Sequence, residues 1–282
     1  MKHIDFPHGQ HAVLLVHGLC SGPFEMQYLG KQLQKSGFAV RIPYIDGYAY
    51  SPETFSAEAA PWEQWEAQLE GHLDELLARH EQVAICGLCI GATLALSLAA
   101  KRPQDITALS LLSTTLFYDG WTISPFRFLL PLAYHTPLRV FYPLHRERPP
   151  FGLKNERLRA WIAQEIKLQS VSSVGAAAIP ILFIHQAERL IRHVKRALPQ
   201  VIAPTLLIHA TEDDVASTRS PDLVDARIGT RRVKQLRLAH SYHMVTMDNE
   251  KDLVAKKTAG FLRETFADER REKHGNAHDR AG

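Results

Sequence analysis

The chain has 282 residues, 45% of them hydrophobic and 22% charged. That is enough for one large α/β domain or two small ones, with the composition of a globular protein. A formal charge of +3 is too small to argue for a nucleic-acid partner, and three cysteines, Cys20, Cys86 and Cys89, do not make a secreted disulfide framework.

The opening residues MKHIDFPHGQH lack the apolar core of a signal peptide, and His3, His8 and His11 read as a mobile tail. The most apolar stretch, Phe126 to Tyr142, is interrupted by Pro131, His135, Pro137 and Arg139, so no stable membrane insertion is expected. The expected location is a reducing cytoplasm. In chain order, HAVLLVHG (11–18) reads as a buried strand ending in a glycine turn. A helix follows, with Phe24, Tyr28, Leu29 and Leu33 at helical spacing and Gly37 as its stop. FAVRIPY is a second strand, and APWEQWEAQLEGHLDELLARH an amphipathic helix. QVAIC is a strand, followed by a turn and a helix to Lys101. ITALSLLST, APTLLIHA (203–210) and VKQLRLAH (233–240) are strands, and EKDLVAKKTAGFLRETF is the last long helix.

Strands alternating with helices predict a mainly parallel central sheet flanked by helices. The segment 117–200 breaks the alternation and reads as an inserted helical cap, dividing the core into 1–116 and 201–268. Residues 269–282 read as a charged, disordered tail.

The turn Gly87-Leu88-Cys89-Ile90-Gly91 joins a strand to a helix. Such a turn holds one side chain up at the sheet edge, and the helix N-terminus favours negative charge beside it. Gly18-Leu19-Cys20-Ser21-Gly22 has the same pattern but leads into Pro23 rather than a small-residue helix. It reads as an oxyanion loop, with the N–H groups of Leu19 and Ile90 aimed at one oxygen. Cys86-x-x-Cys89 is also a redox-type spacing. A cysteine nucleophile needs a base and an orienting acid. Glu212, Asp213 and Asp214 follow one strand, and His240 and His243 follow the next, so both loops lie on the edge that carries Cys89. His240 and His243 have no third ligand at metal-site spacing.

These pieces together resemble the α/β-hydrolase superfamily, and within it the small bacterial carboxylesterases and monoacylglycerol lipases. They are LLVHGLCSGP, PWEQW, GLCIGA, APTLLIHATEDDV and SYHMVTMDNEKD. The resemblance implies an α/β-hydrolase fold with Cys89 as nucleophile, Asp213 as acid and His243 as base. It implies a small-molecule acyl ester or thioester substrate and no metal or organic cofactor. The chain departs from the family at Cys89, where serine is usual, at Ala92 in place of a second glycine, and in the loop YIDGYAYS. Cysteine at this turn is also similar to dienelactone hydrolases and polyhydroxyalkanoate synthases. An acyltransferase using the same sulfur, or a non-catalytic binding module, are the alternative readings. Phe126, Phe128, Leu129, Leu130, Leu132 and Tyr134 of the cap are the expected acyl-binding residues.

Overall fold

A computed structural model describes residues 3–50, 59–136, 143–146, 148–169, 171–172, 175–176 and 178–279. The apolar run expected over 126–142 is described as far as residue 136, and Ser51 of the YIDGYAYS loop lies outside the described residues. The strands are β1 (Ile4–Phe6), β2 (Ala12–Val16), β3 (Ala39–Ile42), β4 (Val83–Leu88), β5 (Ala108–Leu112), β6 (Leu144–Arg146), β7 (Val171–Ser172), β8 (Gly175–Ala176), β9 (Ala178–Pro180), β10 (Thr205–Ala210) and β11 (Val233–Leu238). The helices are α1 (Gln27–Lys35), α2 (Trp62–Leu77), α3 (Ile90–Lys101), α4 (Leu130–His135), α5 (Glu156–Gln169), α6 (Ile181–Ala197), α7 (Arg219–Arg227) and α8 (Lys251–Asp279).

Seven strands form one sheet in the order β1-β3-β2-β4-β5-β10-β11. All neighbours are parallel except β1, which pairs antiparallel with β3. Every residue of β2, β3, β4, β5 and β10 is buried, as a parallel sheet covered on both faces requires. Val83 and Ile85 face α2, α3 and α6, whereas Ala84, Cys86 and Leu88 face α1 and α8. This period of two is the strand repeat read directly as two cores. Among the described residues no helix is long and apolar enough to cross a membrane.

Three expectations need correction, and one helix was not anticipated. Residues 3–11 are not a loose tail: Ile4–Phe6 adds an edge strand, with Phe6 opposite Val40. Helix α7, between β10 and β11, has a short and weakly patterned sequence, and it was missed. The segment 117–200 is not one helical cap. β6 pairs with β9 and β7 with β8 in two small antiparallel ladders, and α6 belongs to the core layer. Phe183, Ala187, Leu190, Ile191 and Val194 of α6 recur at helical spacing and are buried with α2 and α3, because an apolar stripe must find a partner. The insert that leaves the sheet therefore runs from about 117 to 180. Finally, α8 continues to Asp279, through the residues expected to be disordered. ADERREKH contains good helix formers, and extending a formed helix needs no new nucleus. Arg270 reaches Gln10 at 3.2 Å, and Glu269 lies 3.4 Å from Arg232. The last three residues of the tail lie outside the described residues.

Candidate active site

Cys89 sits between β4 and α3 with φ 58° and ψ −122°. A cysteine at positive φ is strained, at a cost of about 1–3 kcal/mol. The surroundings enforce it: the Cys89 N–H donates to Leu112 O at 3.0 Å. The flanking glycines are required by close approach rather than by their own dihedrals. A Cβ on Gly87 would meet Gly91 O at 2.4 Å, and one on Gly91 would meet His17 O at 2.3 Å. Helix α3 is buried from Ile90 to Ala100, with Thr93 and Ser97 hydrogen-bonded to Thr115 and Glu66, which fixes the axis beneath the turn. The Ile90 N–H, first in that helix, has no acceptor one turn back. The Leu19 N–H likewise donates to no protein group among the described residues.

His243 and Asp213 are buried at the ends of β11 and β10. His243 Nδ1 lies 2.9 and 2.8 Å from the two Asp213 oxygens. Burial alone would favour the neutral imidazole. The Asp213 carboxylate and the neighbouring Cys89 outweigh burial and hold the His243 pKa well above its ordinary 6.5. Burial would likewise raise Asp213, but the facing His243 prevails and leaves its carboxyl below the usual range. His243 Nε2 is buried and makes no hydrogen bond. It is the ring nitrogen available to the sulfur. Cys89 Sγ instead lies 3.4 Å from Thr115 Oγ1, whose own hydroxyl donates to Ser113 O at 3.2 Å.

The neighbours that shared these loops take other parts. Asp214 Oδ1 accepts the His243 N–H at 3.3 Å and Oδ2 accepts the Gly152 N–H at 3.1 Å. It ties the histidine loop to the insert, and burial above all raises its pKa. His240 is exposed, with its N–H donating to Glu250 at 2.8 Å. Glu212 is exposed and pairs with Lys154. Cys86 lies in the core on the α1 and α8 face, where burial pushes its thiol up to about 12. That environment suits an inert thiol rather than half of a redox pair. Cys20, at φ 53°, is buried in the loop beside the site, and its N–H donates to Tyr48 O at 3.0 Å.

Three residues were not found by reading the sequence. His209 is fully buried behind Asp213: its Nε2 lies 2.8 Å from Ala216 O and 3.4 Å from Asp213 Oδ2. Burial lowers its pKa, so it is a neutral ring against the far side of the acid. Glu25 is buried and accepts the Gly18 N–H at 2.6 Å, fixing the loop that carries Leu19. Asp248 accepts the N–H groups of Lys154 (2.7 Å) and Tyr242 (2.8 Å), a second tie between insert and histidine loop. The apolar-polar pattern gave only weak signals for these: a lone histidine in a strand, and an acid in a helical turn.

A cavity of about 1020 Å³ opens above Cys89 and His243. Leu19, Cys20 and Ile90 line its floor, and Phe126, Leu129, Leu130 and Leu132 of the insert line its wall. Phe128 is not in the lining and is 69% exposed. Tyr134 is also absent from the lining: it is buried against the His185 ring, with centroids 4.5 Å apart. A short 3-10 turn from Pro125 to Leu129 sends neighbouring apolar side chains to different sides.

Residues 7–251 match the family model described as Hydrolase_4, serine aminopeptidase S33. The chain is 24% identical over 254 residues to a thermostable monoacylglycerol lipase of Bacillus sp. (strain H-257), covering 90% of this chain and 91% of that protein. It is 22% identical over 262 residues to a carboxylesterase of Bacillus subtilis (strain 168), covering 93% and 96%. A solved structure of a soluble variant of monoglyceride lipase from Saccharomyces cerevisiae superposes with a TM-score of 0.78 at 14% identity, covering 93% of this chain and 91% of that one. The fold is thus the α/β-hydrolase fold.

Proposed function

The chain belongs to the serine aminopeptidase S33 family of hydrolases, and from that premise we propose that it is an acyl hydrolase whose nucleophile is Cys89. His243 is the base, Asp213 orients it, and the Leu19 and Ile90 N–H groups receive the oxyanion. The substrate is a small-molecule ester or thioester, in keeping with the lipase and carboxylesterase names of its relatives. The observation that carries this reading is the buried, unpartnered Nε2 of His243 with Nδ1 held by Asp213.

The reaction runs in two halves. His243 Nε2, beside Cys89, accepts the thiol proton, and the thiolate and imidazolium so formed favour each other by their charges. The sulfur adds to the acyl carbon, and the carbonyl oxygen takes the negative charge between the two N–H groups. When the carbonyl reforms, the bond to the leaving oxygen or sulfur breaks and the leaving group takes the proton from His243. The product is a thioester on Cys89. Water, deprotonated by His243, then adds to the thioester, the C–S bond breaks and the carboxylic acid departs. A thioester reacts more readily with amines and thiols than an oxygen ester does, so acyl transfer is the second reading, favoured by the sulfur alone. The insert forms the cover that keeps bulk water from this intermediate.

The test is intact-protein mass after brief mixing with a p-nitrophenyl ester, with nitrophenol release followed in parallel. An acyl adduct or turnover that is absent in Cys89→Ala is expected. Turnover that survives in Cys89→Ala removes this residue as nucleophile and turns attention to Cys20. Added alcohol, amine or thiol then separates hydrolysis from transfer by product.

A further inference from the structure

The proposed reaction leaves three arginines of the cavity unused. Its floor carboxylates are engaged by backbone: Glu25 takes the Gly18 N–H, and Asp214 takes those of His243 and Gly152. Its walls are apolar, with Leu144, Ile162, Ile166, Ile179 and Ile184 among them. Arg127, Arg146 and Arg148 also line it, and all three are exposed. They come from two segments of the insert, the 3-10 turn before α4 and the end of β6 with the turn that follows. Several arginines elsewhere are paired, among them Arg41 with Asp5, Arg102 with Glu70 and Asp105, and Arg232 with Asp268. None of the three cavity arginines lies within ion-pair distance of a carboxylate among the described residues. Glu188 lines the same cavity and is influenced by Arg127 and Arg192 through space; with Glu25 and Asp214 engaged by backbone N–H groups, the three guanidinium groups are the cavity's charged groups without a bonded partner among the described residues.

A largely apolar chamber whose lining includes three guanidinium groups with no ion pair among the described residues suits an amphiphile. We propose that the substrate carries an acyl chain for the apolar walls and a phosphate group for Arg127, Arg146 and Arg148. This rests on the acyl-hydrolase reading of Cys89. Three forked donors match a phosphate dianion better than a single carboxylate, because guanidinium groups bind phosphate oxygens in pairs and a dianion balances more than one cation. Two sources share this chemistry: a phosphorylated thiol leaving group joined as a thioester, and a glycerol phosphate joined as an ester.

The first test needs no turnover. Octyl phosphate and octanol are titrated calorimetrically into Cys89→Ala protein at low ionic strength. Octyl phosphate is expected to bind about tenfold or more tightly, as hydrogen bonds to charged groups would give. The preference should collapse in Arg127→Gln/Arg146→Gln/Arg148→Gln on the same background and shrink in high salt. These side chains are exposed, so the triple variant keeps its fold. Equal affinities, or a preference that persists in the triple variant, overturn the proposal. The second test uses the intact enzyme with four octanoyl substrates: the coenzyme A thioester, the N-acetylcysteamine thioester, the glycerol 3-phosphate ester and the glycerol ester. A ratio of kcat/KM favouring one phosphorylated member over its uncharged partner, and reduced in the triple variant, identifies the source. A ratio of one for both pairs counts against the anion site. Octyl phosphate preference without Cys89-dependent turnover of any substrate keeps the anion site and removes the acyl-hydrolase reading instead.

Discussion

The sheet edge and the insert are built in opposite ways. At the edge, Cys89, Asp213 and His243 sit at the ends of buried parallel strands, and the acid is held at defined distances. Asp213 alone accepts from Val215 and Ala216 at 2.9 and 2.8 Å besides its contact with His243. In the insert, the ladders are two or three residues long, and Phe126, Phe128, Leu132 and Trp161 stand exposed. It is joined to the edge by a few polar ties, through Asp214 and Asp248. Chemistry that must hold its geometry rests on the strands, and substrate choice rests on the part that can vary without disturbing them.

The sharpest way to break that contrast is to damage the edge while leaving its shape. Asp213→Asn should lower kcat/KM by about 10³- to 10⁴-fold, because the imidazole loses its orienting charge, with a much smaller change in KM. The same substitution has a signed effect on stability. The raised pKa of His243 gives stability that is complete below about pH 6.5 and is lost as pH rises through its folded value. The lowered pKa of Asp213 gives stability present above about pH 3.8 and lost as pH falls through its folded value. Urea denaturation should therefore show the largest loss in Asp213→Asn between about pH 4 and 6.5, shrinking on either side. A loss that is flat with pH would mean that the pair is not coupled in this way.

His209 tests how deep the rigid edge extends. His209→Leu removes the ring that meets Asp213 from behind at 3.4 Å while keeping an apolar side chain in the strand. His209 Nε2 is engaged by Ala216 O at 2.8 Å and only approaches Asp213, so its loss acts through the position of the acid, and kcat/KM should fall roughly 10-fold, about 1.4 kcal/mol. The pH-rate profile should shift as well, since the His243 pKa depends on the orientation of Asp213. Loss of activity with an unshifted profile would assign His209 to packing alone.

The edge was legible in the sequence and the insert much less so, for physical reasons. Gly87 and Gly91 stand where any Cβ would strike backbone, so the turn leaves a mark in the sequence. The loops after β10 and β11 follow strands whose burial shows as apolar runs. The choice between Asp213 and Asp214 was not in that pattern, because both follow the strand equally; it depends on which carboxylate meets the ring and which meets two backbone N–H groups. His209 stayed hidden because its contact spans a turn that no periodicity describes. Helix α6 falls in the expected cap because the strand before it, β9, is short and outside the central sheet, although its stripe at 183, 187, 190, 191 and 194 required a large apolar partner. The edge strand β1 is three residues long, too short to show an alternation.

The smallest expected effect separates two phenylalanines that are two residues apart. Phe126 and Phe128 are 68% and 69% exposed, so burial does not distinguish them, and both were expected to bind the acyl chain. Only Phe126 lines the cavity above Cys89. Phe126→Ser removes apolar wall from a bound chain, and an aromatic contact of this kind is worth about 1–2 kcal/mol, a rise in KM of roughly 5- to 30-fold that should grow with chain length. Phe128→Ser removes an exposed ring from the outer side of the same turn, and its stability change should stay within about 0.5 kcal/mol with KM unaltered at every chain length. Comparing KM for butanoyl and octanoyl p-nitrophenyl esters in the two variants reads the difference directly. Equal effects would mean that both rings reach the substrate, and that the turn from Pro125 to Leu129 repacks when a chain enters.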